Sequence, residues 1–334
     1  MHLQAKTKVT SWICQLVISL CLCSSQAAEI FWGAASQSFS IIPITPLGES
    51  GPDNSGFSQG GSLSYTMQMV QSAIQFEIQQ TIYTPKDALK NTTTAQKGNP
   101  PFAGWTSASI GYYQNTKPAQ LFRLKKLTMA HLIHPSVEVG LTGPDSKAQS
   151  TQKFINGLLG NDDDLGWKDQ TTNKRGMIIR YDHTLKMHYR FNELLGIELA
   201  PHVTGAIGNI LQYAAIGGHV RLGSSLTDSL GPPRFTLTAN SHTPDKRSLT
   251  DSYWNVFAGW EKRWMHTNAF LTSNTIVSNQ SLVKLTDHVN AIHVGSEFSL
   301  FNLKATITFE RQTPDFQTKK SPSFLTRLGI SYQT

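Results

Sequence analysis

From Ser62 to Gln79 the chain changes polarity at almost every residue. Leu63, Tyr65, Met67 and Met69 alternate with Ser62, Ser64, Thr66 and Gln68, and after a short break Ile74, Phe76 and Ile78 alternate with Gln75, Glu77 and Gln79. Successive side chains of a strand point to opposite faces, so a strict period of two describes a strand lying between two different solvents. The pattern runs to the end of the chain. Leu303, Ala305, Ile307 and Phe309 alternate with Lys304, Thr306, Thr308 and Glu310, and Phe324, Leu328, Ile330 and Tyr332 stand against Arg327, Gly329 and Ser331. Similar segments lie near 105–113, 136–142, 177–189, 196–205, 214–222, 253–264 and 290–300, and Glu29 to Ser36 adds one more. Roughly a dozen strands result, each long enough to cross a bilayer when tilted.

A water-soluble sandwich alternates as well, with its apolar face turned inward. Three features favour a membrane barrel instead. The polar face carries charges such as Glu77, Glu198, Arg221 and Glu310, aromatic residues gather near strand ends, and the last strand ends on an aromatic residue. The expectation is an all-β, antiparallel transmembrane β-barrel of about 12 strands, its apolar face on lipid and its charged face lining the lumen. Gly and Pro clusters at 43–56, 85–101, 230–233 and 313–322 mark turns and loops. No linker divides the chain, so residues 28–334 read as one domain.

The first 27 residues set the compartment. Lys6 and Lys8 make a basic start, Trp12 to Cys23 an apolar core, and Ser25-Gln26-Ala27-Ala28 a small-residue cleavage site. This is the pattern of a secretory signal peptide. Cys14, Cys21 and Cys23 all lie inside it, so the mature chain is left with neither a disulfide framework nor a cysteine metal site. Leu20 and Leu22 precede the last two cysteines, where a lipidation site wants a small residue. Without Lys6 and Lys8, 27 basic residues stand against 22 acidic, an excess of 5. That balance suits an anionic lipid surface or solubility; the basic residues are scattered, which argues against nucleic acid.

One passage breaks the period of two. In Ser146 to Leu159, the residues Ala148, Thr151, Gln152, Ile155, Leu158 and Leu159 recur at three and four, with Asp145 or Ser146 as the expected N-cap and Gly160 as the stop. A short helix beside a barrel either covers an edge or carries a residue to a site.

Several segments together resemble one family. IYTP at 82–85, NPPFAGW at 99–105, VGLTGP from 139 with Gln152 downstream, GW at 166–167 followed by Gln170, IGNILQYAAIGGHVRLG at 207–223, GPPR at 231–234 and FAGWEKR at 257–263 are similar to blocks of the outer-membrane lipid A 3-O-deacylases, in that family's order. The resemblance implies an outer-membrane barrel that works on lipopolysaccharide in the outer leaflet, is inserted by the outer-membrane assembly machinery, and hydrolyses the ester of the 3-linked acyl chain of lipid A with calcium in support. It also implies a site made of an Asn-Asp pair on the first strand, a hydroxyl on the second, a Lys in the loop after the IYTP strand, and a His on the short helix as the base for water.

Carried across, the hydroxyl position is Ser58, the Lys position Lys90, the His position Asn156, and the Asn-Asp position Gly33-Ala34. Two of these keep their chemistry and two do not. An amide takes no proton near neutral pH, so Asn156 cannot serve as a base. Losing a positioned base costs roughly 10² to 10⁴ in rate. Gly33-Ala34 brings no carboxylate for calcium, a hard cation that seeks carboxylates and carbonyls. The expectation is a family member with impaired catalysis. An active deacylase with a substitute base, drawn from the strand histidines His183, His188, His202, His219 and His293, and a structural or pore barrel without lipid chemistry are the alternatives.

Other candidate features have plainer readings. His131 and His134 are expected to straddle a turn, without a third ligand for a metal. Asp162, Asp163 and Asp164 read as a solvated loop. No Gly-x-Ser-x-Gly elbow is present.

Overall fold

A computed structural model describes residues 27–35, 56–68, 72–85, 98–120, 126–158, 167–192, 194–226, 234–235, 240–241, 252–276, 283–300 and 303–333. Twelve long strands make the wall. They are β1 (Ala27–Ala35), β2 (Gly56–Gln68), β3 (Ser72–Thr84), β4 (Ala103–Asn115), β5 (Leu127–Thr142), β6 (Arg175–Arg190), β7 (Gly196–Gly208), β8 (Leu211–Gly223), β9 (Tyr253–Asn268), β10 (His288–Leu300), β11 (Leu303–Gln312) and β12 (Ser323–Gln333). Each pairs antiparallel with its neighbours in sequence, and β1 closes on β12 from Ala27 opposite Gln333 to Ala35 opposite Leu325. The wall is therefore a closed ring without a free edge, the form a sheet must take in lipid. The signal-peptide segment lies outside the described residues apart from Ala27.

Burial is inside out, and this decides between barrel and sandwich. Ile78, Ile207 and Ile330 are 63%, 64% and 58% exposed, while Glu198, Arg221 and Arg327 are each at 0%. In water such a surface would be unstable; against acyl chains it is the favourable arrangement. No helix among the described residues is long and apolar enough to cross a membrane.

Charges inside the ring are offset by partners, since an unpaired buried charge costs several kcal/mol. Glu198 accepts from Arg221 at 2.7 Å and lies 3.6 Å from the Lys186 ammonium. Glu261 holds Arg263 at 2.6 Å and His202 at 3.2 Å. Glu138 accepts from Trp105, Gln79 and Ser107 and faces Arg180 at 3.6 Å. His134 stacks on Tyr113 and pairs with Asp182 at 3.4 Å.

One end of the ring is capped by apolar side chains. A four-residue helix, Ala269–Thr272, follows β9 and sends Phe270 inward, where it is fully buried. Its ring stacks on Tyr83 at 4.7 Å and 15° and lies 5.9 Å from Trp105, with Ile210, Leu211 and Phe316 in the same cluster. The termini lie at the other end, and four of the five longest connections, 36–55, 85–102, 143–174 and 269–287, leave this one, which makes it extracellular; the fifth, 224–252, joins β8 to β9 at the end that holds the termini.

Candidate functional site

The outer wall of β3 and β4 departs from the lipid-facing pattern near the extracellular end. Gln80 and Thr106 stand there on the outward register, where an apolar residue is expected, and Gly104 leaves a gap beside them. The β5–β6 connection fills the gap. A 3₁₀ turn, Gly143–Ser146, is followed by Lys147 in the left-handed region (φ 57°) and then by helix α1, Ala148–Leu158. The Ser146 carbonyl accepts from Thr106 Oγ1 at 2.6 Å and from Gln80 Nε2 at 2.7 Å, and Gln80 also donates to Thr106 Oγ1 at 2.9 Å. Two outward polar side chains thus hold one loop carbonyl.

The start of α1 differs from the sequence expectation. The helix begins at Ala148, and the first helical bond runs from Thr151 N–H to the Lys147 carbonyl at 3.1 Å, so Lys147 rather than Asp145 or Ser146 occupies the N-cap position. The Ser146 carbonyl, which would accept the first helical bond if Ser146 were the cap, is held across the strands by Gln80 and Thr106. The Ser146 hydroxyl donates to the Gly143 carbonyl at 2.6 Å and accepts from the Ala148 amide at 3.4 Å, and the Asp145 amide donates to Asn173 Oδ1 at 2.9 Å. The expected stop, Gly160, lies outside the described residues.

α1 then rests on β3 and β4. Ala148 lies over Gly104, and Gln152, one turn on and 4% exposed, accepts from Trp167 Nε1 at 2.8 Å. Trp167 packs against Phe102 with ring centroids 5.0 Å apart, over Ile82. The Thr171 amide donates to the Phe102 carbonyl at 2.8 Å, and the Ile276 amide to the Gln170 carbonyl at 2.9 Å. Three loops are joined under the helix. On the opposite face Lys153 and Phe154 are exposed.

Three of the expected site positions, Gly33, Ala34 and Ser58, fall near one level of this wall. Ala34 is opposite Gln59, Gln59 opposite Ile82, and Ile82 opposite Gly104, so a single rung runs from β1 to the foot of α1. Gly33 is one residue away, opposite Gly60. Ser58 is the extra residue of a β-bulge, between Phe57 opposite Tyr83 and Gln59 opposite Ile82. Bulges re-aim side chains and are frequent beside active sites. Position 156 lies four residues beyond Gln152 and eight beyond Ala148, so helical geometry puts it on the face turned to the barrel. Its place along the axis is about 12 Å from Ala148, and two strand spacings, about 10 Å, separate Gly104 from Gln59. The backbone is described at Gly33, Ala34, Ser58 and Asn156, and their side chains are not; Lys90 lies outside the described residues altogether.

The sequence of the chain and its fold agree on a family. The profile described as "Outer membrane protein LpxR" matches residues 56–334. The chain belongs to the LpxR family of outer-membrane proteins. Its fold is similar to that of LpxR from Salmonella typhimurium, with a TM-score of 0.77 at 20% identity over 92% of this chain and 99% of that one. Weaker likenesses are to the beta domain of the Bordetella autotransporter BrkA (TM-score 0.43, 8% identity, 93% and 99% covered) and to the NanC porin (0.41, 5%, 92% and 100%). No curated protein sequence matches the chain.

Other sequence features are relocated by the structure. His131 and His134 do not straddle a turn: both lie within β5, which extends the expected strand at 136–142 back to Leu127. Their parity separates them. His134 faces the lumen, and His131 faces outward with Nδ1 3.0 Å from His183 Nε2. His188, His202, His219 and His293 are buried in the lumen wall, on the side away from α1. Asp162, Asp163 and Asp164 lie outside the described residues.

Sequence reasoning used Gln152, Trp167 and Gln170 only as frame residues and overlooked Gln80, Gly104 and Thr106. The available signal was two polar residues and a glycine at outward-facing strand positions.

Proposed function

We propose that the protein is a lipid A-associated outer-membrane barrel in which the deacylase chemistry of its family is lost or severely impaired. The observation that carries this reading is the residue at position 156. It stands on the barrel-facing side of α1, where the resemblance asks for a histidine, and its amide can neither take a proton from water nor return one to a leaving alkoxide.

The residues present do not fit calcium. The matching positions on β1 are Gly33 and Ala34, which offer backbone carbonyls only. What the chain retains is a binding surface: the Ser58 hydroxyl to donate or accept a hydrogen bond, Lys90 as a cation for a phosphate or an ester oxygen, and the exposed Phe154 of α1 among acyl chains. A substitute base from the lumen histidines is disfavoured because the wall of the barrel stands between them and α1. A pore is disfavoured by the ion pairs and the Phe270 cluster that occupy the lumen.

The test is the lipid A of cells that carry the gene compared with cells that lack it, read by mass spectrometry. Identical spectra are expected. Loss of a 3-linked acyl chain in the carrying cells would sink the proposal.

A further inference from the structure

The extracellular rim carries a second basic and aromatic group on the wall opposite α1, six strands round the ring. On β9, Trp260, Lys262 and Trp264 point outward, between the inward Glu261 and Arg263. The Lys262 ammonium lies 5.4 Å from the centre of the Trp264 ring. Register sets Asn290 beside Lys262, His288 beside Trp264, and Ile292 between Trp260 and the exposed Arg311 of β11. Lys262 and Arg311 are thus two strand spacings and two residues of rise apart, about 12 Å. Neither forms an ion pair among the described residues. Their neighbours in sequence, Glu261 and Glu310, are buried on the lumen side, and Asp287, beside His288, is exposed.

Directly below begins the apolar belt. Trp260 is 43% exposed, Ile292 52%, Val294 48% and Phe309 44%. Cations and a tryptophan at the top of such a belt stand at headgroup level. A single snorkelling lysine would be ordinary there. Two unpaired cations with an aromatic face beside them match a headgroup that presents more than one phosphate on a sugar, because each cation can take one phosphate while the tryptophan lies against the sugar. A phospholipid brings one phosphate and no ring.

We propose that this face of β9, β10 and β11 docks a bisphosphorylated glycolipid of the outer leaflet, its phosphates on Lys262 and Arg311 and its acyl chains along Trp260, Ile292 and Val294. The location does not depend on the reading of the α1 wall given above.

Native mass spectrometry of the full chain in detergent tests it, with bisphosphorylated lipid A, monophosphorylated lipid A and phosphatidylglycerol as probes. K262Q/R311Q is expected to weaken the bisphosphorylated lipid roughly 10- to 30-fold, the monophosphorylated form less, and phosphatidylglycerol least. W264L, which keeps both charges, is expected to weaken both lipid A forms. An equal loss for all three lipids would mean general anion attraction and would overturn the proposal, as would unchanged binding in both variants. Phe154→Ala on α1 separates the two walls: binding lost there and kept in K262Q/R311Q removes this proposal and leaves the α1 reading, while loss confined to K262Q/R311Q and W264L does the reverse.

Discussion

Ala148 lies so close over Gly104 that a side chain at 104 has no room. A Cβ built there would stand 2.2 Å from the Ala148 Cβ and 2.2 Å from the Ser146 hydroxyl oxygen. Gly104 belongs to the barrel wall and Ala148 to the first turn of α1, so this one contact sets the distance between them.

Gly104→Val is therefore expected to lift α1 while leaving the ring closed. The substitution points away from the lumen and a β-branched residue suits a strand. Hydrogen exchange should show lost protection for the amides of 151–158 and retained protection in β3 and β4. Unchanged protection in α1 would mean the helix is held elsewhere.

A second anchor is the indole of Trp167. In Trp167→Phe the ring packing against Phe102 is largely kept, but the buried Gln152 Oε1 loses its donor. Leaving a buried acceptor unsatisfied costs about 1 to 3 kcal/mol. Local opening of α1, again read by hydrogen exchange, should become roughly 5- to 150-fold more frequent, with global unfolding little changed.

The barrel was legible in the sequence because its cause is local. Period-two alternation with Glu77 and Glu198 on the polar face states which side meets lipid, and the twelve strands follow, with β5 starting nine residues earlier than expected. The platform was less legible, because Gln80, Thr106 and Ser146 are 26 to 66 residues apart and meet only through strand register. The cap lies at Lys147 for the same reason: the Ser146 carbonyl is held by Gln80 and Thr106, so the first helical bond goes to the Lys147 carbonyl. His131 and His134 were expected to straddle a turn, yet β5 passes straight through them.

Inside the ring, Glu198 and Arg221 are both fully buried and joined at 2.7 Å. Arg221→Met strands the carboxylate beside Lys186 and His219 and should destabilise the barrel by roughly 3 to 5 kcal/mol. Glu198→Leu with Arg221→Met removes both charges and should cost much less. Heat-modifiable gel mobility and thermal unfolding in detergent report the difference. Equal costs would show that the pair acts through packing alone.

The apolar cap makes a prediction for transport. With Phe270 stacked on Tyr83, and Phe316 in the same cluster, ions have no continuous path, so planar bilayers holding the purified barrel should show no steady conductance. Deleting 269–276 should produce flickering openings rather than a wide channel, since the ion pairs below remain. A stable open pore in the native barrel would contradict the packing described above.

The rung from Ala34 through Gln59 and Ile82 to Gly104 supports a rescue design. If that level is the family's site with its chemistry removed, restoring the chemistry should restore a reaction. N156H alone supplies a base without a carboxylate on β1, and G33N/A34D supplies that carboxylate without a base, so neither variant is expected to hydrolyse lipid A. The triple variant is expected to release a 3-linked acyl chain, faster with added calcium, while Lys90→Ala in the same background should abolish the gain. A correctly folded triple variant that stays inactive at every calcium concentration would mean that the positions share a level without sharing a site.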